Sequence, residues 1–405
     1  MKHVAVMGYG TVGSGVYEVL TKNKNIVSKN VGEELNVKYV LDLREFPGDP
    51  VSEVLTHNFD DILNDEEVSV VAEVMGGIEP AYTFTKKCLL AGKSVCTSNK
   101  ALVEKHGAEL LAIAKEKNVN YLFEASVGGG IPIIRPLHTC LTADVIEEIS
   151  GILNGTTNYI LTKMINDGDS FENALSDAQA KGYAERNPAA DVEGTDACRK
   201  IAILASLAFG KYVDCNKIST EGITNISLED VKNAGSINHS IKLIGQCKKV
   251  GTEVFAKVSP VMLPESNALS DVEGVFNGIL VNGSATGDVM FYGKGAGKMP
   301  TASAVVADVI DIVAHQGLGA PYWEDGGVLT NINPDDVKLY VRVINKDAKA
   351  AVADIFGDVQ VLNDSGDEYA FVSAAGKETE LNKKADELKN KLGSDSVKNT
   401  IQVIF

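Results

Sequence analysis

The sequence predicts an α/β protein in three parts: a doubly wound parallel sheet, a central α+β segment, and a small C-terminal βαββαβ unit. Three observations predict this fold class. Short apolar runs alternate with amphipathic runs near the start of the chain, and from Val145 the alternation becomes irregular. After Pro334, strand-like and helix-like runs follow in a ferredoxin-like order. The predicted domain boundaries are 1–130, 131–325 and 335–405.

In the first segment, each strand-like run is followed by a helix-like or turn-like one. Strands are predicted at 2–7, 37–41, 68–74, 94–97 and 120–124, and helices after Gly8, at 81–91 and at 102–117. Strands that alternate with helices favour parallel pairing, with helices covering both faces of the sheet.

A cluster of glycines follows the first strand. The pattern Gly8-x-Gly10-x-x-Gly13 stands where a strand turns into a helix, the context that a dinucleotide-binding fingerprint requires. Gly8 permits the tight turn, Gly10 lets a pyrophosphate approach the backbone, and Gly13 lets helix and strand pack closely. The N–H groups at the helix start, including those of Thr11 and Val12, would bind the phosphates. This predicts a Rossmann domain for NAD or NADP, with a purely structural glycine turn as the alternative.

The end of the second strand bears on the choice of cofactor. A carboxylate such as Asp42 can bind a ribose 2′-hydroxyl, whereas an arginine such as Arg44 can pair with the 2′-phosphate of NADP. Both residues are present, so both cofactors stay open. Arg44 is equally compatible with a solvated loop position.

A cluster of charged residues lies between Glu185 and Lys200. It contains Asp191 and Asp196, and an apolar helix continues at 201–209. Asp196 and Lys200 are four residues apart, so on a helix they share a face. A carboxylate that holds an ammonium group, beside an amine that moves a proton, suits a small zwitterionic substrate. Helix capping and solvation are the structural alternatives for the acids.

These residues belong to a set of motifs that closely resembles the homoserine dehydrogenases. The set consists of Ser98-Asn99-Lys100-Ala101, Glu124-Ala125-Ser126-Val127-Gly128-Gly129-Gly130-Ile131-Pro132, Gly151-Ile152-Leu153-Asn154-Gly155-Thr156-Thr157-Asn158, Gly182-Tyr183-Ala184-Glu185, Asp191-Val192-Glu193-Gly194-Thr195-Asp196 with Lys200, and Gly295-Ala296-Gly297 with Pro300-Thr301-Ala302-Ser303-Ala304. The resemblance covers residues 1 to about 320. Arg186-Asn187 departs from the Pro-Asp that relatives often carry, which changes the loop after Glu185.

The resemblance implies a reaction and a role for each charged residue. The protein is expected to interconvert L-homoserine and L-aspartate 4-semialdehyde, in the biosynthesis of threonine, methionine and isoleucine. Lys200 is predicted to be the acid/base, Lys100 a second positive group near the reacting oxygen, and Asp191 the residue that orients this network. Glu185 and Asp196 are predicted to hold the substrate.

The resemblance also extends the expected cofactor site. It adds Gly76, Lys100, Gly182 and Gly295 to the glycine cluster. It favours NAD modestly, because many relatives carry an arginine where this sequence has Leu41.

The resemblance further implies a monovalent cation, normally sodium. The expected ligands are the equivalents of Glu124, Val127, Gly129 and Ile131, in a glycine-rich loop whose carbonyl groups and one carboxylate are hard oxygen ligands. A flexible hinge between domains is the alternative interpretation of this loop.

The C-terminal segment resembles the ACT regulatory domain found in many homoserine dehydrogenases. Its predicted strands are 337–344, 358–362, 368–374 and 397–405, and its predicted helices are 347–356 and 378–392. The usual Asp-x-x-Gly turn after the first strand is replaced by Lys346-Asp347-Ala348-Lys349. A regulatory or oligomerising role and a packing role therefore both stay open.

Composition excludes several partners. The formal net charge of −17 opposes binding to nucleic acid or to anionic membranes. No apolar run approaches the roughly 20 residues of a membrane span, and the first residues lack the apolar length expected of a signal peptide. The six cysteines include no Cys-x-x-Cys pair, which is typical of reduced thiols. These features predict a cytoplasmic location.

Two other functions compete with the homoserine interpretation. Another Rossmann amino-acid dehydrogenase would explain the glycines but not the later motifs, and a catalytically silent nucleotide sensor would leave the acid/base residues unexplained. The chain begins at its first Rossmann strand, which predicts a monofunctional enzyme. The family further implies a homodimer or homotetramer that pairs through the central segment.

Overall fold

The structure, a computed structural model, describes residues 1–317 and 321–405 and groups them into two compact units. The first unit comprises 1–147, 199–216 and 282–327, and the second comprises 148–198, 217–281 and 328–405. The predicted central segment is thus shared between the two units. Its boundaries as a separate domain stay a prediction.

The N-terminal part of the first unit is a six-stranded parallel sheet with helices between its strands, in the order β3-β2-β1-β4-β5-β6. The elements are β1 (Lys2–Met7), α1 (Thr11–Lys22), α2 (Lys24–Val31), β2 (Leu35–Leu41), β3 (Leu55–Thr56), α3 (Phe59–Leu63), β4 (Val68–Glu73), α4 (Ala81–Leu90), β5 (Ser94–Thr97), α5 (Lys100–Lys117) and β6 (Tyr121–Leu122). The predicted doubly wound sheet is confirmed. The order reverses between β1 and β4, and ligands bind beyond the carboxyl ends of strands at such a point.

The middle of the chain alternates less regularly, as the sequence predicts. Its elements are β7 (Ile146–Ile152), α6 (Gly155–Asp167), α7 (Phe171–Ala180), α8 (Ala189–Val192), α9 (Thr195–Phe209), β8 (Ser219–Thr220), α10 (Leu228–Gly235), β9 (His239–Val250), β10 (Glu253–Pro264), β11 (Phe276–Gly283), β12 (Gly287–Lys294) and α11 (Lys298–Ala314).

Helix α11 completes the core of the six-stranded parallel sheet. Its buried residues Val305 and Val309 join one apolar cluster with Val6 of β1 and Val16 of α1. The approach of α1 to α11 is close, because a Cβ added at Gly15 would lie 2.9 Å from the Cβ of Ala302. A helix nearly 300 residues downstream thereby stabilises the first strand.

The C-terminal segment has the predicted βαββαβ order. Its elements are β13 (Leu329–Thr330), β14 (Asp336–Ile344), α12 (Ala348–Phe356), β15 (Gln360–Ser365), β16 (Glu368–Val372), β17 (Gly376–Lys377), α13 (Glu378–Leu392) and β18 (Val397–Val403). The four long strands pair in the order β18-β14-β16-β15. Helices α12 and α13 bury an apolar face on them, with Val352 and Leu388 fully covered. The ferredoxin-like prediction is confirmed.

Strand β10 joins the C-terminal strands to the rest of the second unit. One edge of β10 pairs with β9 along its whole length. The other edge is covered in three short pieces, by β13 at residues 254–255, by β8 at 257–258 and by β18 at 261–262. The ferredoxin-like strands therefore continue a larger sheet, in the order β11-β7-β9-β10-β18-β14-β16-β15.

A buried ionic cluster also fastens the C-terminal strands. Asp230 of α10 is fully buried and accepts hydrogen bonds from Tyr340 Oη at 2.9 Å, Arg342 Nε at 2.8 Å and Asn399 Nδ2 at 2.9 Å. The hydroxyl of Ser227 caps α10 and accepts a bond from Arg342 at 3.0 Å. A paired and hydrogen-bonded carboxylate tolerates full burial, whereas an isolated one does not.

Two further properties follow from the described residues. All six cysteines are free thiols. Within 1–317 and 321–405, no helix combines the length and the apolar character needed to cross a membrane.

Candidate active site

The glycine turn after β1 has the geometry of a pyrophosphate cradle. Gly8 adopts a φ of 100°, which favours glycine, and a Cβ added at Gly13 would lie 1.9 Å from the carbonyl oxygen of Gly8. A Cβ added at Gly10 meets nothing within 4 Å. Helix α1 begins at Thr11 without a side-chain cap, so its first N–H groups are not bonded to a capping side chain. These features fit an anionic dinucleotide.

Asp42 and Arg44 form an ion pair at the end of β2. Arg44 Nε donates to Oδ1 and Nη2 donates to Oδ2, each over 2.9 Å, and the Tyr9 N–H also donates to Oδ2 over 2.8 Å. The hydrogen bond from Arg44 is the main cause that lowers the pKa of Asp42, with burial opposing it. Asp42 is 10% exposed and Arg44 is 61% exposed, so the arginine can leave the pair for solvent.

The ends of β4 and β5 carry two more of the predicted residues. Gly76 lies in the turn after β4 with a φ of 83°. Asn99 caps α5 by accepting a hydrogen bond from the N–H of Leu102 at 3.2 Å, so half-buried Lys100 is the first residue of that helix. Both positions lie at the carboxyl edge of the sheet, where a Rossmann domain binds its ligand.

The glycine-rich loop after β6 is organised by the Glu124 carboxylate. Its two oxygens accept hydrogen bonds from the backbone N–H groups of Ile133, Ile134 and Arg135 at 2.6, 2.8 and 2.7 Å. Burial raises the pKa of Glu124, while the three N–H groups and Arg135 oppose that shift. The carboxylate is therefore committed to the backbone.

Arg135 connects this loop to α11. Its guanidinium donates to Asp308 at 2.6 Å and to Asp311 at 3.1 Å, and Asp308 accepts the N–H of Glu124 at 2.9 Å. Burial and then the nearby Glu124 raise the pKa of Asp308, and Arg135 opposes this. The loop is held from both of its ends.

The same loop closely approaches another predicted residue. A Cβ added at Gly129 would lie 2.4 Å from the carbonyl oxygen of Gly295. Within the described residues, no group of three or more His, Cys, Asp or Glu side chains could hold a metal ion. A cation at this loop would therefore depend on backbone carbonyl groups such as those of Val127, Gly129 and Ile131.

In the second unit, Asn154 brings two of the predicted carboxylates together. Its Nδ2 donates to Asp191 at 2.7 Å and to Asp196 at 2.9 Å. Its Oδ1 caps α6 by accepting the N–H of Thr157 at 2.9 Å. The motif containing Asn154 pointed to the family, but a role for this side chain was not predicted. An asparagine directly before a helix could have indicated the cap, but not the link to residues about 40 positions away.

The remaining predicted residues have the following positions. Glu185 is exposed, in the turn after α7, and its backbone carbonyl accepts a hydrogen bond from Gln179 at 3.1 Å. Gly182 lies in the same turn with a φ of 74°. Asp196 and Lys200 lie one turn apart on α9 and are 7% and 8% exposed. The four-residue spacing predicted the shared helix, whereas the roles of these two side chains stay a prediction.

Comparison with known proteins identifies the family. The sequence profile named homoserine dehydrogenase matches residues 132–310, and the profile of its NAD-binding domain matches residues 8–124. A homoserine dehydrogenase of Lactococcus lactis is 38% identical over 91% of each chain, and one of Bacillus subtilis is 43% identical over 78% of this chain and 74% of its own.

The fold gives the same answer. The crystal structure of a homoserine dehydrogenase from Thiobacillus denitrificans superposes with a TM-score of 0.88 at 32% identity, covering 100% of this chain and 98% of that one. The relatives match both the cofactor-binding part and the part that carries Asn154, Asp191 and Asp196. The chain belongs to the homoserine dehydrogenase family.

Proposed function

We propose that this protein interconverts L-homoserine and L-aspartate 4-semialdehyde, with Lys200 as the acid/base, in the biosynthesis of threonine, methionine and isoleucine. The observation that carries the proposal is the pairing of Asp191 with Asp196 through Asn154, with Lys200 one turn along the same helix as Asp196. A nicotinamide cofactor supplies the hydride chemistry when it is bound.

The protein side chains then bind the substrate and move its proton. Glu185, which is exposed in the turn after α7, accepts hydrogen bonds from the substrate ammonium group, and Asp196 binds the hydroxyl end of the substrate. Lys200 gives a proton to the carbonyl oxygen during reduction and takes it back during oxidation. Lys100, at the start of α5, is the second cation, which stabilises the alkoxide-like oxygen more than the neutral carbonyl. Asp191 orients these groups through Asn154.

We propose NAD as the preferred cofactor. Gly10 and the first N–H groups of α1 would hold its pyrophosphate, and Asp42 would bind its ribose hydroxyl once the exposed Arg44 moves aside. The buried carboxylate repels the 2′-phosphate of NADP, because that group carries negative charge. Arg44 gives NADP a weaker but usable site.

We also propose a monovalent cation, probed as Na⁺, on the loop after β6. Its ligands are the backbone carbonyl groups of Glu124, Val127, Gly129 and Ile131, while the Glu124 carboxylate holds the loop that presents them. We further propose that the protein forms a homodimer or homotetramer and that it is cytoplasmic. The C-terminal ACT-like unit is proposed to brace the second unit. The pairing of β18 with β10 at residues 261–262 and the buried bond from Arg342 to Asp230 support the bracing role.

Turnover measured at 340 nm tests the proposal. The protein is incubated with L-homoserine and either NAD or NADP, and separately with aspartate semialdehyde and the reduced cofactors. We expect homoserine-dependent reduction that Lys200→Ala abolishes, while Lys217→Ala, on the exposed surface, retains the wild-type rate. Absence of turnover in both directions would contradict the proposal.

A further inference from the structure

Glu73 is a buried carboxylate for which the proposed reaction has no role. It is the last residue of β4 and is fully buried, at the carboxyl edge of the nucleotide-binding sheet. It pairs in register with Met7 of β1 on one side and with Thr97 of β5 on the other. A charged group in this central position is costly unless hydrogen bonds compensate for its burial.

Its two oxygens hold two different turns. Oε1 accepts the N–H of Met75 at 2.8 Å, in the turn that contains Gly76. Oε2 accepts the hydroxyl of Thr97 at 2.6 Å, in the turn that precedes Lys100. Burial raises the pKa of Glu73, and the donors on both turns oppose the shift.

Each turn leads from Glu73 to a functional element. Met75 packs against the glycine turn, because a Cβ added at Gly8 would lie 3.0 Å from the Cα of Met75. On the other side, the Thr97 hydroxyl accepts the N–H of Asn99 at 2.9 Å, and Asn99 caps the helix that begins with Lys100.

Asn99 closes the arrangement into a ring. Its Nδ2 donates to the carbonyl oxygen of Gly77, so the two turns are also joined directly. The Thr97 hydroxyl donates to Glu73 and accepts from the Asn99 N–H, so it links the carboxylate to the start of α5.

We propose that Glu73 is a positioning residue that holds the Met75–Gly77 turn and the Thr97–Lys100 turn in one fixed arrangement. The proposal rests on the function proposed above, in which Gly76 lies at the cofactor and Lys100 at the substrate oxygen. Glu73 touches neither ligand. It acts through the backbone of one turn and through Thr97 in the other.

Substitutions at Thr97, which links Glu73 to Asn99, provide the sharper test. Thr97→Val removes the hydroxyl and with it the bond to Glu73 Oε2 and the bond from the Asn99 N–H, while Thr97→Ser restores both. We expect Thr97→Val to lower kcat at least about tenfold and Thr97→Ser to recover most of that loss. Thr85→Val is the matched control, because Thr85 is fully buried and its hydroxyl has no partner among the described residues. It should retain the wild-type kcat.

A second variant tests the other turn. Glu73→Gln keeps one acceptor oxygen and replaces the other with an N–H₂ donor, so it cannot accept from both Met75 and Thr97 as the carboxylate does. We therefore expect the Kd for NADH, measured by fluorescence, to rise at least about tenfold. Thermal unfolding identifies variants that fail to fold. If Thr97→Val behaved like Thr85→Val, or if Glu73→Gln and Thr97→Val, both folded, kept the wild-type kcat and Kd, the proposal would be overturned.

The two proposals fail in different ways. A wild-type chain that binds NADH but does not turn over homoserine contradicts the proposed reaction, and NADH affinity then still tests the hold of Glu73 on the Met75–Gly77 turn. A wild-type chain that binds no dinucleotide overturns both.

Discussion

Asp42 and Arg44 form a bidentate ion pair at the end of β2, and the Asp42 carboxylate also accepts a hydrogen bond from the backbone N–H of Tyr9, next to Gly8. The carboxylate of the pair thus connects Asp42, the proposed ribose-binding residue, to the glycine turn proposed to bind the pyrophosphate. Its two members favour different cofactors, and only the arginine is exposed enough to move away.

Substitutions in this pair should change the preference between NAD and NADP in opposite directions. Arg44→Ala frees the carboxylate for a ribose hydroxyl, so the ratio of kcat/KM with NAD to that with NADP should rise roughly tenfold. Asp42→Asn removes the charge that repels a phosphate, so the ratio should fall by a similar factor, about that of one charge-assisted hydrogen bond. An unchanged ratio in both variants would show that the cofactor is read elsewhere.

Two glycines of the turn, Gly10 and Gly13, should respond differently to substitution by alanine. A Cβ at Gly13 would overlap the carbonyl of Gly8 at 1.9 Å, so Gly13→Ala should lower the thermal midpoint by several degrees. Gly10 has open space, so Gly10→Ala should keep the wild-type midpoint and weaken NADH binding at least about tenfold, because the methyl group occupies the pyrophosphate path. Equal stability losses in the two variants would contradict this division.

Two substitutions at Asn154 distinguish its capping of α6 from its hydrogen bonds to Asp191 and Asp196. Asn154→Asp keeps an oxygen that caps α6 but loses both N–H bonds to Asp191 and Asp196 and adds a negative charge, so kcat/KM should fall at least about tenfold. Asn154→Ala also loses the cap, which should cost about 1 kcal/mol of stability. Steady-state kinetics and urea unfolding measure the two effects. Wild-type kcat/KM in Asn154→Asp would rule out the linkage role.

Asp230 should dominate the attachment of the C-terminal strands. Asp230→Ala leaves Arg342, 7% exposed, without its carboxylate, and such a loss costs about 3–5 kcal/mol. Asp354→Ala is the control, because it breaks an exposed pair with Lys391 that solvent screens and that contributes little to stability. Guanidinium unfolding monitored by circular dichroism compares them. Similar losses in the two variants would show that the buried cluster contributes little.

Lys242 should make the free energy of unfolding change with pH in the alkaline range. It is 2% exposed and donates to the carbonyl of Val272, and burial lowers its pKa from 10.5 to about 8, with Glu273 and Asp271 opposing. Between these two values the unfolded chain binds more protons than the folded one, so the free energy of unfolding rises with pH in that window.

The rise can be isolated with one variant. Between about pH 8 and pH 10.5, at about 1.4 kcal/mol for each pH unit, the rise in the free energy of unfolding amounts to at most about 3.5 kcal/mol. The difference in unfolding free energy between the wild type and Lys242→Met should therefore increase between pH 7.5 and 10. A difference independent of pH would show that the lysine titrates normally in the folded protein.

Local signals in the sequence predicted the fold well. Alternating apolar runs and the turn at Gly8 identify the parallel sheet. The six elements of the βαββαβ unit were predicted within two or three residues, because periodicity and length define long elements. The short elements α2, β3 and α3 were missed. A two-residue strand such as β3 has too few residues to show any period.

The site was predictable only in part. The four-residue spacing of Asp196 and Lys200 is a local property of a helix and was visible. The bonds from Asn154 to Asp191 and Asp196, and the closure of Glu124 onto the backbone of its own loop, depend on how the chain returns in space. Local spacing in the sequence cannot predict contacts between residues that are far apart along the chain. The packing of α11 on α1 could not be predicted for the same reason.

The interrupted edge of β10 has a consequence for how this chain folds. Its three covering pieces come from residues near 219, 329 and 402, and the farthest lies about 140 positions beyond β10 in the sequence. Until these distant segments arrive, a long apolar strand offers unsatisfied backbone groups to any neighbouring chain. Contacts of such long sequence separation form slowly. The vulnerable species during biogenesis is therefore one in which β9 and β10 have paired while the opposite edge of β10 is still open, and self-association at that stage competes with completion of the sheet.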